Sequence, residues 1–171
     1  MSDAPLQDFE LRARDPQTWL GAARQLLSAA DTMNASLIAL SKEHEDHWRE
    51  AQVGSLKAAM LLAGLALENA LKALAVARGS LSIELGALRL KGPFGDHNLS
   101  GMARTLGVFE DEASRDLLRR LTAAVRWAAR YPVPKSGAQM PDGGVVLSFL
   151  YTDIEATRSL LAEVEAWIPA A

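Results

Sequence analysis

The chain has 171 residues, of which 49% are hydrophobic and 23% are charged, the balance of one soluble globular domain with a sizeable core. Its net charge of −3 excludes a surface that is basic throughout, although a local basic face stays compatible with it. The absence of cysteine excludes disulfides, zinc–thiolate sites and thiol nucleophiles, and fits a cytoplasmic protein.

Residues 1–14 are polar and acidic, and they lack the basic segment and apolar core of a secretory signal. We expect them to form a flexible N-terminal arm, and residues 15–171 to form a single domain. The longest apolar run, residues 58–67, has about half of the roughly 20 residues that a membrane span requires. We therefore interpret it as part of a buried core helix, and expect no contact with a membrane.

Apolar residues recur at helical spacing through most of the domain, which predicts an all-α fold. Asp15-Pro16 combines an N-cap acceptor with proline at the first helical position, and predicts a helix that extends to about residue 42. A second helix, rich in alanine and leucine, is predicted over residues 48–78 and ends at Gly79. The long connection over residues 80–96 receives no predicted structure.

Three further helices are predicted in the second half of the chain. Residues 97–107 form a short one, with Asn98 as its N-cap and Gly107 as its end. A helix over residues 110–130 follows, and a capping-box pattern at Thr152 begins the last helix.

Between the last two helices, residues 135–151 are predicted to be a flexible loop followed by strand-like residues without a partner strand. Pro132 prevents the preceding helix from continuing, and Trp167 marks the approximate end of the last one. The elements together predict a helical bundle of four long helices plus a short crossover helix.

The three histidines are the first candidates for chemistry. His44 and His47 lie in a His-Glu-Asp-His sequence, which lacks the His-Glu-x-x-His spacing of a zinc protease, and we interpret them as part of a solvated connection. His97 begins the short helix, where it either fixes the loop as a capping residue or helps to hold an anion. We predict neither a metal site nor a cofactor.

Two charged residues interrupt the apolar second helix. Glu68 and Lys72 are spaced i, i+4 with the glutamate first, the favourable orientation for a helical ion pair. They form either an ordinary surface pair or a pair that faces the arginines of the helix at residues 110–130, because polar groups in such a helix need water or partners.

That later helix carries a row of arginines. Arg119, Arg126 and Arg130 are spaced by seven and four residues, and therefore lie on one helical face together with Arg115. A planar guanidinium can donate two parallel hydrogen bonds to a phosphate. The row indicates a site for the phosphate of a nucleotide or RNA, or else a solvated face whose arginines pair with neighbouring carboxylates.

Three segments in this order, residues 62–79, 95–108 and 117–134, resemble HEPN domains. The resemblance is carried by Glu68 and Lys72 in the first segment, by His97-Asn98-Leu99 in the second and by Arg130-Tyr131-Pro132 in the third. It implies a helical bundle that forms homodimers. Many HEPN domains are metal-independent ribonucleases of toxin–antitoxin and phage-defence systems, whereas others bind nucleotides or serve as dimerising modules.

The ribonuclease signature of that family, an arginine followed after four to six residues by a histidine, is broken here. Tyr131 stands where a histidine would follow Arg126, and no histidine follows His97. Because a tyrosine is a poor general base at neutral pH, familial ribonuclease activity is not expected.

The sequence therefore predicts a homodimeric binding or interaction module that holds a nucleotide or RNA phosphate, within a prokaryotic defence or toxin–antitoxin system. The candidate ligand-binding residues are Arg126, Arg130, Tyr131, His97, Lys72, Glu68 and Arg119. One alternative is a divergent metal-independent endoribonuclease, in which Arg126 acts with Tyr131 or His97. Another is a purely structural partner protein, and no catalytic residue is assigned.

Overall fold

The computed structural model describes residues 4–40, 48–84, 87–131, 150 and 152–169. Within these ranges the protein is predominantly helical, which confirms the predicted all-α class. The elements are α1 (Ala4–Arg14), α2 (Pro16–Leu40), α3 (Trp48–Ala77), β1 (Ser82–Glu84), β2 (Ala87–Arg89), a 3-10 turn (Gly92–Phe94), α4 (Leu99–Leu106), α5 (Glu112–Ala123), a π-helical turn (Ala124–Ala128) and α6 (Asp153–Trp167).

Helix α3 lies at the centre of the bundle, in contact with α2, α4, α5, the π-helical turn and α6. Its second half is almost entirely buried, and alanines along it allow the neighbouring helices to approach closely. The helix is long and apolar enough to cross a membrane, but 72% of its most apolar window is buried inside the bundle. This burial fits the interpretation of residues 58–67 as part of a core helix.

Local sequence signals determined several helix ends. The Asp15 carboxylate accepts hydrogen bonds from the backbone N–H groups of Gln17 and Thr18, each at 3.0 Å. Asn98 accepts a bond from the Gly101 N–H, and Gly107 ends α4 with a left-handed φ of 65°. These contacts confirm the predicted start of α2 and both predicted ends of the short helix.

The structure adds a helix to the N-terminal segment and corrects the predicted cap of α6. The segment predicted to be a flexible N-terminal arm contains helix α1 from Ala4 onward, and most of the described side chains of α1 are exposed. Thr152 makes no side-chain cap bond to α6. Instead, the carboxylate of Asp153 accepts a 3.0 Å bond from the Leu150 N–H.

The connection over residues 80–96 contains a short antiparallel hairpin in which Ile83 pairs with Leu88, followed by the 3-10 turn. The helix predicted over residues 110–130 is divided into α5 and the π-helical turn. His44, His47 and nearly all of segment 135–151 lie outside the residues that the structure describes.

Replacing Asp15 with alanine is expected to lower the free energy of unfolding by about 0.5–2 kcal/mol at neutral pH, the usual contribution of an N-cap. The Thr18 hydroxyl, at 2.7 Å, and the two N–H groups hold the pKa of Asp15 below its ordinary value of 3.8. A lowered folded-state pKa stabilises the fold above the ordinary value, and this contribution disappears as the pH falls through the folded-state pKa.

Urea unfolding of the wild type and of Asp15→Ala, at about pH 7 and about pH 2.5, measures this dependence. The difference between them should shrink at the lower pH, whereas Asp8→Ala, which removes an exposed ion pair with Arg12, should have little effect at either pH. An Asp15→Ala deficit that is equal at both pH values would contradict the assignment.

Candidate functional site

The site begins with a buried carboxylate on α3. Glu68 is only 3% exposed, and it lies one helical turn before Lys72, which is 7% exposed. The Lys72 Nζ donates a 2.6 Å hydrogen bond to Glu68 Oε1. This contact gives each of the two buried charges a partner of opposite sign. The Lys72 Nζ also lies over the Trp19 ring, 5.8 Å from its centroid.

The same carboxylate holds His97. The Nδ1 atom of His97 lies 3.0 Å from Glu68 Oε1 and 2.9 Å from Glu68 Oε2. Because an ionised carboxylate only accepts hydrogen bonds, the Nδ1 atom must carry the proton of this contact. In the neutral imidazole, Nε2 is then the unprotonated nitrogen, and it is available to accept a proton.

The backbone also fixes His97. It lies between the 3-10 turn and α4 with φ of 54°, a left-handed conformation that is uncommon outside glycine. The N–H of Asn98 donates a 3.0 Å bond to the carbonyl of Pro93, which closes the loop around His97. The histidine side chain is 46% exposed, so that one edge contacts the buried carboxylate while the rest remains accessible.

An open cleft of about 370 Å³ lies between this loop and the end of the helix that contains the arginines. It is lined by Gly95, Asp96, His97, Arg126, Trp127, Arg130 and Tyr131. Among these described residues, two guanidinium groups outnumber one carboxylate, that of Asp96, so the cleft favours an anionic ligand. Its volume lies at the lower end of the range for small-molecule sites.

The π-helical turn positions the arginines at this cleft. Here the N–H of Ala129 donates a hydrogen bond to the carbonyl of Ala124, five residues earlier. The N–H of Tyr131 donates to the carbonyl of Trp127. The guanidinium of Arg130 lies 5.1 Å from the Tyr131 ring centroid and donates a 3.1 Å bond to its hydroxyl. The Arg130 side chain is therefore ordered by contacts within the cleft wall, whereas Arg126 is exposed and has no described partner.

Four of the candidate ligand-binding residues thus meet at one cleft: Arg126, Arg130, Tyr131 and His97. Glu68 and Lys72 are buried rather than forming an exposed pair, and no described contact joins them to the arginines. Within the described ranges, no three histidine, aspartate or glutamate side chains are grouped as metal ligands would be.

Arg119 is not part of this cleft. It pairs with Asp116 on its own helix and lines a different cavity. Residues seven apart on a helix lie about 10 Å apart along its axis, so a shared face does not by itself bring Arg119 and Arg126 to one cleft.

Sequence reasoning missed the ion-pair network that anchors α6. Arg120 donates a 2.6 Å bond to the buried carboxylate of Asp153 and also pairs with Asp116. Arg120 and Asp153 are 33 positions apart, and no local pattern indicates their contact. Asp96 and Trp127 were likewise not identified as residues of the cleft.

Comparison with protein-family models, curated proteins and solved structures finds no match to this chain.

Proposed function

We propose that this protein is a HEPN-like helical module that binds a phosphate group of a nucleotide or RNA in the cleft at His97, Arg126, Arg130 and Tyr131. The convergence of two guanidinium groups and a carboxylate-held imidazole on one cleft carries this proposal. Arginine suits phosphate because its planar fork can donate two bonds to adjacent oxygens.

The electrostatics of the cleft support an anion. The protein as a whole is acidic, with a net charge of −3, so two arginines at one cleft are a local exception. The contact between Arg130 and Tyr131 lowers the entropy that the guanidinium loses when a ligand binds. The tyrosine ring also offers a surface on which a base can stack.

Binding of ATP, AMP and a fluorescent single-stranded RNA oligonucleotide tests the proposal. Replacing Arg126 and Arg130 together with glutamine should weaken the binding of at least one of these probes by about 100-fold or more, because it removes two charged hydrogen bonds that contribute about 1.5–3 kcal/mol each. The affinity of the wild type should also fall as salt rises.

Arg119→Gln is the matched control, since it removes an arginine of the preceding helix that lines another cavity. It should leave binding unchanged. Absence of binding by all three probes, or an equal loss in Arg119→Gln and the double variant, would overturn the proposal.

A second candidate function, metal-independent RNA cleavage, is favoured by the contact between Glu68 and His97. A carboxylate bound to Nδ1 fixes the imidazole tautomer whose Nε2 accepts a proton. In such a reaction Nε2 takes the proton of the 2′-hydroxyl, the 2′-oxygen attacks phosphorus, and the 5′-oxygen leaves and takes a proton from solvent. The products are a 2′,3′-cyclic phosphate and a 5′-hydroxyl end.

Incubation of the RNA oligonucleotide with protein and EDTA separates binding from cleavage. An endoribonuclease should yield cyclic-phosphate ends that disappear in both His97→Gln and Arg126→Gln. Intact RNA, or cleavage that both variants retain, would exclude RNA cleavage at this site and leave phosphate binding as the proposed function. The homodimer and the defence or toxin–antitoxin context that the resemblance implies stay predictions.

A further inference from the structure

A second cleft lies between α4 and α5, beside the loop that joins these two helices. It encloses about 540 Å³, within the range of small-molecule sites. Among the described residues, it shares no lining residue with the cleft at His97, Arg126 and Arg130. It is therefore a separate concavity, and a ligand bound there would be independent of the proposed binding of a nucleotide or RNA.

The floor of this cleft is apolar. Ala103, Val108, Phe109 and Leu118 line it, and each of them is largely buried. Phe109 has φ of 58°, a left-handed conformation that is exceptional for a bulky residue. Its ring also packs against Trp167 of α6, with ring centroids 5.5 Å apart.

The walls of the cleft are basic. Arg104 on α4 and Arg115 on α5 both line it, both are exposed, and neither has a partner among the described residues. Arg119 lies beside them, but its charge is offset by Asp116. Glu110 is the one carboxylate among the described residues that line the cleft. The two guanidinium groups without a described partner, beside one carboxylate, are complementary to a negatively charged ligand.

We infer that this cleft binds a small organic anion, in which a carboxylate or phosphate group pairs with Arg104 and Arg115 and an apolar body covers the floor. Unpaired arginines on facing helices provide bidentate donors for either group. An inorganic anion would satisfy the arginines alone. An attached ring would also bury its own apolar surface against Phe109 and its apolar neighbours, and should therefore bind more tightly.

Isothermal titration with four probes tests this inference. Benzoate and phenyl phosphate carry a ring, whereas acetate and inorganic phosphate carry the same anionic groups without one. The better of the two aromatic probes should bind about tenfold or more tightly than its counterpart without a ring, since burial of a ring contributes about 1.5–3 kcal/mol. The comparison of benzoate with phenyl phosphate shows which anionic group the arginines prefer.

The double variant Arg104→Gln/Arg115→Gln should raise the dissociation constant of the preferred aromatic anion by about tenfold or more. Both side chains are exposed and lack described partners, so the variant should keep the circular dichroism spectrum and Tm of the wild type. Arg126→Gln, in the other cleft, should leave this binding unchanged.

Two results would overturn the inference: no saturable binding of either aromatic anion, or binding that the double variant does not weaken. Proton NMR of the wild type gives a readout that needs no variant. The preferred anion should shift the Trp167 indole signal, because Trp167 is 41% exposed and contacts the ring of Phe109. An unchanged indole signal at saturation would place the ligand elsewhere and would also overturn the inference.

Discussion

Replacing Glu68 with alanine is expected to lower the free energy of unfolding by about 3–5 kcal/mol, the usual cost of removing one partner from a buried ion pair. The substitution would leave the Lys72 ammonium without its 2.6 Å acceptor at a position that is only 7% exposed. It would also release the Nδ1 atom of His97. Urea unfolding monitored by circular dichroism measures the loss.

Two variants separate the contribution of charge from that of packing. Glu68→Gln keeps the side-chain volume and one acceptor oxygen, and should be destabilised less than Glu68→Ala. Glu68→Leu/Lys72→Met removes both charges, and should be closer in stability to the wild type than Glu68→Ala is. If the double variant were as unstable as Glu68→Ala, the buried Lys72 ammonium could not be the cause of the loss.

The Glu68 variants also test how the site depends on this carboxylate. In Glu68→Gln the amide does not fix the His97 tautomer as a carboxylate does, because it can donate as well as accept. RNA cleavage by the wild type, if present, should therefore fall in this variant. Phosphate binding through Arg126 and Arg130 should be retained, because no described contact joins Glu68 to either arginine.

The second large effect is expected at Gly64 on α3. A methyl group at this position would lie 2.4 Å from Val125 Cγ2 and 3.3 Å from the Leu121 carbonyl oxygen, and the first distance is well inside the roughly 3.5–4.0 Å at which carbon atoms rest. We expect Gly64→Ala to lose about 1–3 kcal/mol through overpacking, although alanine is the better helix former.

The same helix provides the control. A methyl group at Gly54 meets no atom within 4 Å, so Gly54→Ala should gain about 0.5–1 kcal/mol from helix propensity alone. In a Val125→Ala background, Gly64→Ala should cost much less, which a double-mutant cycle measures. Equal effects at the two glycines would show that α3 and the π-helical turn do not pack as closely as described.

This contact links the core to the candidate site. Val125 lies within the π-helical turn, immediately before Arg126, so a backbone displaced by overpacking at Gly64 would move the arginine at the cleft. If Gly64→Ala weakens nucleotide or RNA binding and the added Val125→Ala restores it, the loss of binding has the same steric cause as the loss of stability.

The sequence by itself determined where most helices begin and end. Asp15, Asn98 and Gly107 act on backbone groups within three or four residues of themselves, so their effects are visible in a short window of sequence. Apolar residues at helical spacing likewise predicted the last helix, α6, in which Ile154 and Val164 are buried. The all-α class results from these local signals.

Only the tertiary structure decided how the polar residues are used. Glu68 and His97 are 29 positions apart, and Arg120 and Asp153 are 33 apart, so their contacts depend on how the helices pack. The π-helical turn packs against α3, and Arg126 within it lines one cleft whereas Arg119 on α5 lines another. Periodicity in the sequence specifies faces of single elements, whereas a site requires the relative positions of several elements, which long-range contacts determine.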